Sequence, residues 1–113
     1  MSGISTHVLD ISLGRPAAGV QVTLELSRED AWHKLSTRTT DGDGRIREML
    51  SSDTSLLSGV YRLTFGTQTY FEARSVQGLY PAVQIIFTVT DVARSYHIPL
   101  LLTANGYSTY RGS

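Results

Sequence analysis

Strict alternation of apolar and polar residues constrains this chain more than any other feature. Val20, Val22, Leu24 and Leu26 alternate with Gln21, Thr23, Glu25 and Ser27. A repeat of two puts every second side chain on one face, so this segment predicts a strand with one face buried. Tyr61, Leu63 and Phe65 alternate with Arg62 and Thr64, bracketed by Gly59 and Gly66. Val83, Ile85, Phe87 and Val89 share one parity opposite Gln84, Thr88 and Thr90; Ile86 interrupts the polar side and predicts cover on both faces. Residues 6–12 read as a strand with Val8 on one face and His7, Leu9 and Ile11 on the other. Residues 32–39 read as a polar or edge strand. In residues 96–103, Pro99 lacks an N–H and predicts an edge or a nearby bulge. Asn105-Gly106 predicts the hairpin that joins 96–103 to 107–111. Residues 67–76, free of internal Gly and Pro, predict one short helix that needs packing to persist.

Many short strands separated by Gly-rich turns predict an all-β, antiparallel sandwich of about eight strands. The 113 residues make one domain, 1–113, with one core. The absence of cysteine excludes a disulfide framework, a thiolate metal site and a cysteine nucleophile. Ten basic residues balance ten acidic ones, so no overall field draws nucleic acid or an anionic membrane. No run approaches the ~18 apolar residues of a membrane span. The expectation is a soluble, cytoplasmic protein. Its charged fraction of 18% is low for a lone monomer and hints at surface covered by a partner.

Several chemistries are missing from the pattern. There is no glycine-rich phosphate loop, no nucleophile elbow and no closely spaced pair of metal ligands. Asp41-Gly42-Asp43-Gly44 resembles the start of a calcium loop, but Ser52 stands where the closing Glu belongs, so it reads as a turn. No metal and no cofactor are expected. His7 and His97 each sit mid-strand on otherwise apolar faces. They read either as satisfied strand histidines or as proton-transfer groups, the usual work of imidazole near neutral pH. Arg45 reads either as a solvated strand-start cation or as a donor to a developing oxyanion. Arg47 has the same parity, and pattern does not separate the two. Residues 107–113 read as a strand to the last residue, either a loose chain end or a segment that places Ser108 and Tyr110 on the face of the histidines.

Several motifs in order carry a resemblance. They are Ser5-Thr6-His7-Val8-Leu9-Asp10, Gly14-Arg15-Pro16-Ala17, Asp41-Gly42-Asp43-Gly44-Arg45 and Tyr96-His97-Ile98-Pro99-Leu100. The closing Tyr107-Ser108-Thr109-Tyr110-Arg111-Gly112-Ser113 is the most specific. Together they resemble the 5-hydroxyisourate hydrolases, transthyretin-related proteins of purine breakdown. Transthyretins, the hormone carriers of the same fold, lack this ending and both histidines. The resemblance implies a transthyretin-like sandwich in a homotetramer, a dimer of dimers with sites in the channel between dimers. It implies hydrolysis of 5-hydroxyisourate to 2-oxo-4-hydroxy-4-carboxy-5-ureidoimidazoline, on the route from urate to allantoin, without metal or organic cofactor. By position it assigns catalysis to His7, Arg45, His97 and Ser113. It assigns substrate binding to His7, Arg45, Ser108, Tyr110, Arg111 and Gly112, and makes Arg47 a bystander. The chain departs from the family at Thr103-Ala104-Asn105-Gly106, where Ser-Pro-Phe-Gly is common, and at Ser95, often a histidine. Two other readings stand beside it: a binding module holding a small aromatic ligand through His7 and His97, and a structural sandwich with no small-molecule site.

Overall fold

A computed structural model describes residues 3–113. Its first strand, β1 (Gly3–Asp10), alternates as a half-buried strand must, with Ile4, Thr6, Val8 and Asp10 inward and Ser5, His7 and Leu9 outward. It lies in a five-stranded sheet with β2 (Arg15–Pro16), β5 (Arg45–Ile46), β8 (Ser95–Thr103) and β9 (Gly106–Thr109). The second sheet runs in the order β4 (Ala31–Thr39), β3 (Gln21–Arg28), β6 (Gly59–Phe65), β7 (Val83–Val89). One short helix, α1 (Thr67–Ala73), follows β6. The inward residues of both sheets make one core in which Val8, Val22, Leu24, Leu63, Phe65 and Leu100 are fully enclosed. Each such side chain contributes roughly 1.5–3 kcal/mol through lost apolar surface. The expected sandwich with one short helix is therefore present.

Details differ from the pattern-based reading. β1 and β8 pair in parallel, Gly3 opposite Ser95 through Asp10 opposite Leu102, inside an otherwise antiparallel fold. They belong to opposite ends of the chain and are joined through the whole second sheet rather than by a hairpin. β8 is also central, between β1 and β9, so Pro99 is not on an edge. The β8–β9 ladder lapses beside it, between the Leu100–Thr109 pair and the His97–Gly112 bridge, where its missing N–H would have had to donate. The hairpin turn falls on Ala104 and Asn105, and Thr103 Oγ1 accepts from the Asn105 N–H and donates to the Gly106 carbonyl. The helix stops at Ala73, because Ser75 takes a left-handed φ of 58°. Ile86 lies on the edge strand β7 and is 59% exposed, so nothing within the chain covers that face. β2 and β5, two residues each, are too short to leave a periodic signal.

Asp10 ends β1. Its carboxylate accepts from the backbone N–H groups of Ser12 and Leu13, the Ser12 hydroxyl and the Tyr70 hydroxyl of α1. This turn caps the strand and fastens the helix to it.

Candidate active site

Three distant segments meet on the outward face of the five-stranded sheet. The parallel register sets Ser5 opposite His97 and His7 opposite Pro99. On the other side of β1, β5 sets Arg45 opposite His7. The third segment is the tail, where Gly112 donates its N–H to the His97 carbonyl at 2.8 Å.

The turn before β5 explains where Arg45 stands. Asp41 Oδ1 accepts from the N–H groups of Asp43 and Arg45, and the Gly44 N–H donates to the Asp41 carbonyl. Those backbone N–H groups, that of Arg45 foremost, hold the Asp41 carboxyl below its ordinary pKa, with Arg47 and Arg45 adding to the effect. Gly44 has a φ of +72°, and a Cβ there would lie 2.4 Å from the Val8 carbonyl oxygen. Only glycine lets this turn lie flat on β1, and that contact delivers the next residue, Arg45, to the face of His7.

His97 is gripped on two edges. Its Nδ1 shares a 2.8 Å hydrogen bond with the Ser5 hydroxyl. Its Cδ2 faces Gly112 so closely that a Cβ on that residue would come within 2.5 Å. Burial lowers the pKa of His97, and the charges of Arg45 and His7 push it the same way. The ring is therefore mainly neutral at pH 7 and able to accept a proton. His7 Nε2 donates to the Asp43 carbonyl at 2.9 Å, since a carbonyl can only accept. In neutral His7 that bond leaves Nδ1 with the lone pair.

A cleft of about 700 Å³ opens here, lined by Arg45, His97, Arg111, Gly112 and Ser113 of the expected set. His7 lies beside it on the same sheet face rather than in its wall. Ser108, opposite Leu101, and Tyr110, 56% exposed, stand outside it. Tyr110 borders a separate apolar groove with Ile86, Tyr96 and Ile98. Arg111 lays its guanidinium 4.3 Å over the Tyr96 ring and donates to the Ser95 carbonyl. Other lining residues were not singled out from sequence as site residues, among them Ser5, Arg47 and Arg94. Ser5 carries a usable signal, the same strand parity as His7. Arg94 carries none, because it lies in the loop before β8. Among the described residues, no group of three or more His, Asp or Glu side chains stands close enough to hold a metal ion. No helix there is long and apolar enough to cross a membrane. Chemically, the cleft offers a neutral imidazole, a guanidinium beside it and a second imidazole next door.

Comparison with known proteins gives the same picture. The model of the HIUase/Transthyretin family matches residues 4–112. A 5-hydroxyisourate hydrolase of Halalkalibacterium halodurans is 44% identical over 119 aligned positions, covering 100% of both chains. The solved 5-hydroxyisourate hydrolase of Klebsiella pneumoniae superposes with a TM-score of 0.85 at 39% identity, covering 100% of this chain and 94% of that one. Sea bream transthyretin, solved with thyroxine, superposes at 0.90 but is 25% identical, over 96% of this chain and 93% of its own. The backbone is thus shared with the hydrolase and the transthyretin alike, while the sequence is more similar to the two hydrolases. A match that runs from the first strand to the tail beside His97 places this chain in the HIUase/Transthyretin family.

Proposed function

We propose that this protein is an enzyme that hydrolyses 5-hydroxyisourate to 2-oxo-4-hydroxy-4-carboxy-5-ureidoimidazoline, one step of urate degradation to allantoin. The observation that carries the reading is the meeting of His97, Arg45 and the Gly112-Ser113 tail in one cleft with His7 alongside. The names of relatives at 44% and 39% identity support it. A cyclic amide opens when water adds to its carbonyl carbon and the C–N bond then breaks. Neutral His97 takes the proton from water as oxygen bonds to carbon. Arg45 stabilises the negative charge that gathers on the carbonyl oxygen. The collapsing intermediate releases the ring nitrogen, which takes a proton passed through the His7–His97 pair. The products are a carboxylate and an N–H, so water is the sole co-reactant.

Ser113, Gly112 and Arg111 complete the wall that holds the ring. Ser108 and Tyr110 lie outside the cleft of the single chain, so their contact with substrate belongs to an assembled form. The proposed assembly is a homotetramer, a dimer of dimers, with the outward face of the five-stranded sheet toward the channel between dimers. Exposed Ile86 and the unpaired edge strands β7 and β9 support association of chains. The cytoplasm, a reducing compartment, suits a chain without cysteine.

The test generates 5-hydroxyisourate with urate oxidase and follows its ultraviolet absorbance. The protein is expected to accelerate the decay, and His97→Ala and Arg45→Ala to lower turnover by about 10²–10³-fold in folded protein. Wild-type turnover in His97→Ala refutes the assignment.

A further inference from the structure

The cleft is charged in a way the ring-opening chemistry alone does not require. Four arginines line it, Arg45, Arg47, Arg94 and Arg111, and no Asp or Glu side chain joins them. Arg45 is used at the oxyanion, and Arg111 is committed to the Tyr96 ring and the Ser95 carbonyl. Arg47 and Arg94 remain. Both are exposed, and neither belongs to an ion pair among the described residues. They enter from different sides: Arg47 just beyond β5, Arg94 just before β8, with β1 between those strands. One anion shares the lining, the terminal carboxylate of Ser113, against four guanidinium groups, and the nearest side-chain acids do not cancel the rest inside the cleft. Asp41 spends its carboxylate on its own turn, and Glu48 and Asp91 lie outside the lining.

A rim mainly of one sign around a concave site concentrates counter-charged solutes and speeds their arrival by roughly 10–10³-fold at low salt. The proposed substrate fits that field. A ring N–H flanked by two carbonyls is acidic enough to supply an anion, and ring opening leaves a carboxylate. We propose that Arg47 and Arg94 are substrate-capturing residues that take up the substrate as its anion, ahead of the step run by His97 and Arg45. This rests on the hydrolase reading and departs from the sequence-based expectation that Arg47 is a bystander. Guanidinium groups at the rim act mainly on association, so their removal raises KM far more than it lowers kcat.

The experiment measures kcat and KM for 5-hydroxyisourate, formed in situ, across a range of NaCl from about 10 to 300 mM, over which the screening length falls several-fold. Wild-type kcat/KM is expected to drop roughly tenfold as salt rises. Arg47→Ala/Arg94→Ala should start about tenfold lower, with KM carrying the loss and a flat salt profile. Arg47→Lys/Arg94→Lys, which keeps the charge, should retain the wild-type slope. A double alanine variant with the wild-type slope, or one whose loss lies in kcat, overturns the proposal. Urate anion serves as a second probe, read by direct titration calorimetry. If wild type fails to accelerate 5-hydroxyisourate decay, the hydrolase reading falls, and urate then decides the capture alone. Equal urate affinity in wild type and the double alanine variant refutes it.

Discussion

At the scale of single residues, the site depends on how tightly His97 is held. Gly112 touches the Cδ2 edge of the ring, and Ser5 holds Nδ1. Gly112→Ala is expected to displace the imidazole and lower kcat/KM by about 10²-fold, the usual penalty for ~1 Å of misplacement. Thermal melting should barely move, since Gly112 sits at the sheet margin. Wild-type kinetics in that variant would show that the tail does not set the ring. The pH profile belongs to the same residue. A base must be unprotonated, and burial, with the neighbouring Arg45 and His7 acting the same way, lowers the pKa of His97. Activity should hold through neutrality and fall on acidification only below the ordinary histidine value. His7, Arg45 and His97 were all legible as candidates in the sequence, because polar groups broke apolar strand faces or followed a turn. Their convergence was not. It depends on a hydrogen bond between residues separated by 92 positions, and no local period reports such a pairing. Arg94, on a loop, had no pattern to betray it.

At the scale of elements, the long strands were legible and the short ones were not. β3, β6 and β7 announce themselves through alternation, whereas β2 and β5 owe their existence to β1 alone. The Asp-Gly-Asp-Gly turn was readable as a turn, but its seat against the Val8 carbonyl was not. The tie between β1 and α1 carries a testable charge. Burial raises the pKa of Asp10, yet hydrogen bonds from Ser12, Tyr70 and Leu13 outweigh it and leave it below the ordinary value. A carboxylate with a depressed folded pKa adds stability above its unfolded pKa of about 3.9, and that stability is lost as pH falls through the folded value. Tyr70 is pushed up to about 12, first by burial and then by Asp10. Its contribution is complete below its unfolded pKa of about 10 and is lost as pH rises toward the folded value. Asp10→Asn should therefore lower the melting temperature at pH 7 by several degrees and flatten the acid limb of stability. An unchanged acid limb would remove Asp10 from that role.

At the scale of the whole molecule, the proposed assembly would complete a cleft that one chain begins. The cleft lies on a sheet face turned away from the core, and Ser108 and Tyr110 flank it without lining it. Sedimentation equilibrium should give four times the 12.4 kDa chain mass. Deleting residues 110–113 should abolish turnover, since Gly112 and Ser113 leave with them. A fully active species of single-chain mass would contradict the shared site.

The parallel pairing of β1 with β8 has a consequence in time. The strand bearing His7 is synthesised well before its partner bearing His97, with residues 104–113 after that. Until β8 emerges, the edge of β1 that it fills stays open, while β2 and β5 can already pair with the other edge. Turnover is therefore expected only once β8 and the tail have docked beside β1. A nascent chain that lacks β8 is expected to be silent, so that the onset of activity would report that His97 has reached the strand of His7.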